Sequence, residues 1–98
     1  MHGRYDKLNC MKVLVLYRPN SEHGRMIEDF IREFKRRFEE IKLDVLNIDS
    51  RDGTAMASLY DIMQYPAILV LRGDGYLQKY WAGEQLPLLD EVVGYANA

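Results

Sequence analysis

The side chains able to do chemistry are few. The stretch Leu16-Tyr17-Arg18-Pro19-Asn20-Ser21-Glu22-His23-Gly24-Arg25 brings a hydroxyl, an imidazole, a carboxylate and guanidinium groups together. It lies between an apolar run and a long amphipathic segment, so it reads as a strand-to-helix loop, a place where exposed N–H groups can meet a ligand. Asn20 and Ser21 each carry a short side-chain oxygen that can accept one of those N–H groups and cap the helix. His23 reads as a surface histidine of the first helical turn. Cys10 is the single cysteine, which excludes an internal disulfide and a cysteine-based zinc site. It reads as an inert thiol, with an intermolecular disulfide or redox sensing as the alternative. His2, His23 and Cys10 are too scattered for a metal site, and no motif pairs Asp49, Asp52 or Asp61 for acid/base work. No catalytic residue, metal ligand or cofactor is assigned.

The elements around this loop follow from hydrophobic periodicity. Lys12 to Tyr17 is apolar on both faces, as a central strand must be. Met26, Ile27, Phe30, Ile31, Phe34, Phe38 and Ile41 recur every three or four residues and predict an amphipathic helix. Glu28 with Arg32 and Glu33 with Arg37 are spaced as i,i+4 ion pairs on its solvent side. Leu43, Val45 and Ile48 predict a second strand ending near Asp49, parallel to the first across a helical crossover. A short helix follows, with Thr54 as its cap and Ala55, Met56, Leu59, Tyr60, Ile62 and Met63 as its apolar residues. Tyr65-Pro66 ends it, and Ala67 to Leu71 is a third strand. Gly73-Asp74-Gly75 is a hairpin turn into a fourth strand from Tyr76 to Trp81. The last helix is expected near Leu86, with Pro87 at its first position. The order is β-α-β-α-β-β-α: an α/β domain over residues 12–98, with residues 1–11 as a tail or short extra element.

Bulk composition removes several function classes. With 13 basic and 15 acidic residues the net charge is −2, which makes neither nucleic acid nor an anionic membrane a default partner. The apolar runs Val13 to Tyr17 and Ala67 to Leu71 are too short to span a bilayer. The polar start, Met1 to Lys7, has no signal-peptide core, so a soluble cytoplasmic protein is expected. Lys35-Arg36-Arg37 is followed at once by Glu39-Glu40 and reads as a solvated face. Tyr60, Tyr65, Tyr76, Tyr80 and Trp81 cluster in the second half. They could form a partner surface or pack within the hairpin.

The element order, with Pro66 before the third strand, resembles the thioredoxin-like superfamily, thioredoxins and glutaredoxins included. Tyr65-Pro66-Ala67-Ile68-Leu69-Val70-Leu71 and then Asp74-Gly75 resemble that family's Val-Pro-Thr run and turn. Ser21-Glu22-His23-Gly24-Arg25-Met26-Ile27 lines up with Cys-Gly-Pro-Cys-Lys-Met-Ile, and Asp49 and Gly83 fall at further family positions. The resemblance implies a four-stranded mixed sheet flanked by helices, a cis bond before Pro66, and a Tyr65 backbone able to pair with a peptide or glutathione. It implies that Arg18 could meet a glutathione carboxylate, and that Ser21 could hold a thiolate or carboxylate as in transferase-like members. The redox motif departs: Ser21 and Gly24 stand where two cysteines are required, so dithiol exchange is not available.

Three functions are consistent with this. The first is a non-redox binding module using the cleft between the first helix and Pro66, with Arg18, Ser21, Tyr65 and Pro66 as binding residues. Its partner would be a protein, peptide or glutathione. The second is a glutathione- or thiol-binding enzyme with Ser21 at the helix N-terminus. The third is a structural or oligomerisation domain.

Overall fold

The computed structural model describes residues 11–83 and 85–96. His2, Cys10 and the remainder of the expected tail lie outside them. The elements are β1 (Lys12–Tyr17), α1 (Gly24–Arg37), β2 (Lys42–Asn47), α2 (Arg51–Leu59), β3 (Ala67–Leu71), β4 (Leu77–Ala82) and α3 (Leu89–Ala96). They have the expected order and form one sheet, β2-β1-β3-β4. β1 and β2 are parallel, with Lys12 opposite Lys42 and Tyr17 opposite Asn47. β3 runs antiparallel to β1, and β4 antiparallel to β3.

The continuous apolar runs of β1 and β3 have a direct cause: both strands are covered on both faces. On one face Val13, Val15, Tyr17, Ile68 and Val70 pack with Ile27, Phe30 and Phe34 of α1 and Val92 and Ala96 of α3. On the other, Leu14, Leu16, Ala67, Leu69 and Leu71 pack with Ala57 of α2 and with Ile62. The described residues include no buried charged or polar residue. No described helix is long and apolar enough to cross a membrane.

Helix ends and ion pairs differ from the sequence reading. α1 starts at Gly24, and neither Asn20 nor Ser21 caps it; its N-cap is His23, with no side-chain hydrogen bond. α2 starts at Arg51, capped by Ser50, whose hydroxyl accepts from the Gly53 N–H at 3.0 Å. Thr54 instead donates to the Ile48 carbonyl. α2 stops before Tyr60; Asp61 takes φ 57° and Ile62 then reaches the core, leaving Met63 exposed. β2 ends at Asn47, because its carbonyl and side chain receive the Ser50 and Asp49 N–H groups. β4 starts after Tyr76, whose N–H donates to the Asp74 side chain within the turn. α3 starts two residues beyond Pro87, where the Leu88 N–H donates to Glu91. On α1 the pairs are i,i+3 rather than i,i+4: Arg32 with Asp29 and Arg36 with Glu33, while Arg37 reaches Asp90. Glu28 is drawn away because it accepts from the Tyr17 hydroxyl.

The aromatic residues of the second half do not share one face. Trp81 meets Tyr95 edge-on at 5.6 Å, while Tyr60 and Tyr65 pack on the α2 side. Tyr76 and Tyr80 are exposed.

Phe34 is fully buried and its ring lies 6.2 Å from Phe30 and 5.6 Å from Phe38. Phe34→Ala is expected to lower unfolding free energy by about 3–5 kcal/mol, read as a lower midpoint in urea unfolding.

Candidate functional site

The strand register brings several loops to one end of the sheet. β1 and β2 both finish there, at Tyr17 and Asn47. Leu16 is opposite Ala67, and Ala67 is opposite Ala82, so β3 enters and β4 leaves at that same end. Arg18, Asp49, Tyr65, Pro66 and Gly83 are therefore neighbours of the N-terminus of α1.

Arg18 and Asp49 join the first two loops. Arg18 Nε donates to Asp49 Oδ2 at 3.0 Å and Nη2 to Oδ1 at 3.1 Å, a two-pronged pair. The hydrogen bond from Arg18 holds the Asp49 carboxyl below its ordinary range, and the same bond raises the guanidinium. Desolvation works against this and raises the carboxyl, but less than the Arg18 bond lowers it.

The loop before α1 is closed by its own main chain. The Ser21 hydroxyl donates to the Arg18 carbonyl at 2.6 Å, and the Ser21 N–H donates to the same oxygen at 3.2 Å. The Gly24 N–H donates to the Ser21 carbonyl at 3.1 Å. A Cβ at Gly24 would stand 2.2 Å from the Pro19 carbonyl oxygen, far inside contact distance. Only glycine fits there, and no thiol could be carried at that position without moving the loop. Gly53 repeats the arrangement at the start of α2, where a Cβ would stand 2.0 Å from the Asn47 carbonyl oxygen.

Facing this loop, the Tyr65-Pro66 bond is cis. Pro66 is buried and its carbonyl accepts from the Gly83 N–H at 3.0 Å. The Tyr65 hydroxyl donates to the Ile62 carbonyl at 3.2 Å. The main-chain N–H and carbonyl of Tyr65 have no partner among the described residues. Tyr65 lines two open grooves. One, of about 490 Å³, is shared with Glu22, His23 and Met26. The other, of about 550 Å³, is shared with Gln64, Ala82, Gly83 and Gln85.

This architecture is that of a known fold. No protein-family model and no curated protein matches the sequence. Among solved structures, Fasciola hepatica thioredoxin superposes with a TM-score of 0.74 at 13% identity, over 96% of this chain and 88% of that one. Oxidised Plasmodium falciparum thioredoxin gives 0.72 at 14% identity, over 96% and 91%. Oxidised Arabidopsis thaliana thioredoxin O2 gives 0.67 at 12% identity, over 95% and 80%. The chain has the thioredoxin-like fold. On that fold, the four residues singled out from sequence do meet at one end of the sheet, in unequal states. Arg18 is already paired, the Ser21 proton is committed within its own loop, and Pro66 is buried. Tyr65 alone of the four has both its main-chain N–H and carbonyl without a partner among the described residues.

Three groove residues were not assigned to binding by the sequence. Glu22 lies in the aligned stretch with no role given, and Met26, expected on the apolar face of the helix, is exposed. His23 was read as a surface residue of the first turn, whereas it is the half-buried N-cap, and its Nε2 is enclosed without a partner. The close approach required at Gly24 moves the helix start and brings His23 inward. Among the described residues no three His, Cys, Asp or Glu side chains cluster to hold a metal ion.

Two outcomes test this geometry. Gly24→Ala is expected to cost about 1–3 kcal/mol through overpacking against Pro19. Gly94→Ala, on exposed α3 with nothing within 4 Å of the added methyl, should instead stabilise by roughly 0.5–1 kcal/mol. Urea unfolding reads both signs. Arg18→Ala should raise the Asp49 carboxyl toward its ordinary range, read by NMR pH titration. The pair's contribution to stability is present at neutral pH and lost as pH falls through the depressed folded value.

Proposed function

We propose that this chain is a non-redox binding module, holding an extended peptide segment of a partner in the cleft between the α1 N-terminus and Tyr65-Pro66. The observation that carries this reading is the unpaired Tyr65 main chain, lying beside two open grooves. Free main-chain groups are matched by another extended chain, whose alternate side chains then fall to either side.

Composition and fit support the non-redox reading of this loop. Disulfide exchange through this loop needs a thiolate at the helix N-terminus. Ser21 and Gly24 occupy that place, the single cysteine is Cys10, and Gly24 has no room for a side chain. The solved neighbours named above are thioredoxins; their activity is theirs and is not carried over. The transferase-like alternative needs the Ser21 hydroxyl to donate to a bound thiolate, and that proton is given to the Arg18 carbonyl. Nothing about the exposed Tyr76 and Tyr80 favours oligomerisation over this reading.

Titration of the isotopically labelled full chain with extended peptides is expected to shift the amide resonances of Tyr65, Gln64 and Glu22. It should leave the β2 edge unmoved, and the chain should not turn over disulfide substrates. Unmoved Tyr65 resonances across a panel of extended peptides would refute the cleft, and disulfide turnover would refute the non-redox assignment.

A further inference from the structure

Charge in the cleft is distributed unevenly, and this narrows the partner. Both N–H groups of Arg18 that face the loop are bonded to Asp49, so the pair presents no net charge. Among the described residues, the groove between α1 and Tyr65 contains one formally charged side chain, Glu22, which is exposed and makes no ion pair with them. Arg25, the nearest cation in sequence, is exposed on the first turn of α1 and does not line the groove. The described residues that line the second groove carry no formal charge, Gln64 and Gln85 among them.

Resting on the peptide-holding reading above, we infer that the cleft selects an extended peptide with a lysine or arginine side chain directed at Glu22, and rejects anionic ligands of the glutathione type. A ligand carboxylate would have to share Arg18 with Asp49, whose charge already offsets it, or lie beside Glu22 as a like charge. A cationic side chain meets neither obstacle. Its long aliphatic stem can rest on Met26 and Tyr65 while the charged end stays in water near the carboxylate. Both partners are exposed, so the gain is modest and salt-sensitive.

The test uses two extended peptides, acetylated and amidated at their ends, identical but for a central lysine or glutamate. Each is titrated into the labelled full chain at low salt, beside glutathione. The lysine peptide is expected to bind roughly three- to fivefold more tightly. That ratio should collapse toward one in Glu22→Gln and at about 1 M salt, and glutathione should leave Tyr65 unmoved. Equal binding of the two peptides, a preference for glutamate, or a ratio surviving in Glu22→Gln would overturn the assignment of Glu22 while the Tyr65 shifts keep the peptide reading. No shift at Tyr65 with either peptide would overturn both.

Discussion

β1 and β3 run antiparallel through the centre of the sheet, and both are buried on both faces. Every other element is placed by covering them. α1 and α3 close one face, α2 and Ile62 close the other, and β2 and β4 complete the hydrogen bonding at the two sides. Each fully buried Val, Leu or Ile contributes about 1.5–3 kcal/mol, so this central pair is where most of the apolar driving force is concentrated. The outer strands are only half buried and carry charged residues such as Lys42, Asp44 and Lys79.

The same pairing decides which loops come together. Parallel β1 and β2 discharge their chains at one end, and antiparallel β3 receives its chain there. Loops that are far apart in sequence must then share a small space. Two devices settle them. Glycines at the first turns of α1 and α2 let each helix begin against a preceding carbonyl. The Arg18–Asp49 pair ties the two loops together across 31 residues. An exposed ion pair adds little to stability. Its larger effect is to hold the Arg18 guanidinium against Asp49.

Most polar groups at this end of the sheet are used within the chain. The Ser21 hydroxyl, the Gly24 N–H and the Pro66 carbonyl are all satisfied internally. Among the described residues, the Tyr65 main-chain groups and the Glu22 carboxylate have no partner.

The sequence by itself determined the strands, their order and the fold. Val13 to Tyr17 and Ala67 to Leu71 can be satisfied only by two-sided burial, and the apolar spacing of Ile27, Phe30 and Phe34 only by a helix on that core. The absence of thiols from the loop before α1 was equally legible, because it depends on residue identity. The helix starts were not. Whether Ser21 or His23 precedes α1, and whether Ser50 or Thr54 caps α2, depends on how closely a glycine approaches a carbonyl from outside the helix. The pairing of Arg18 with Asp49, the inward position of His23 and the free main chain of Tyr65 were also decided only by tertiary structure. Periodicity and composition are properties of a segment and its solvent, so a sequence can carry them alone. Which donor meets which acceptor depends on strand register and on loops packed together in space, and that exists only once the chain has folded.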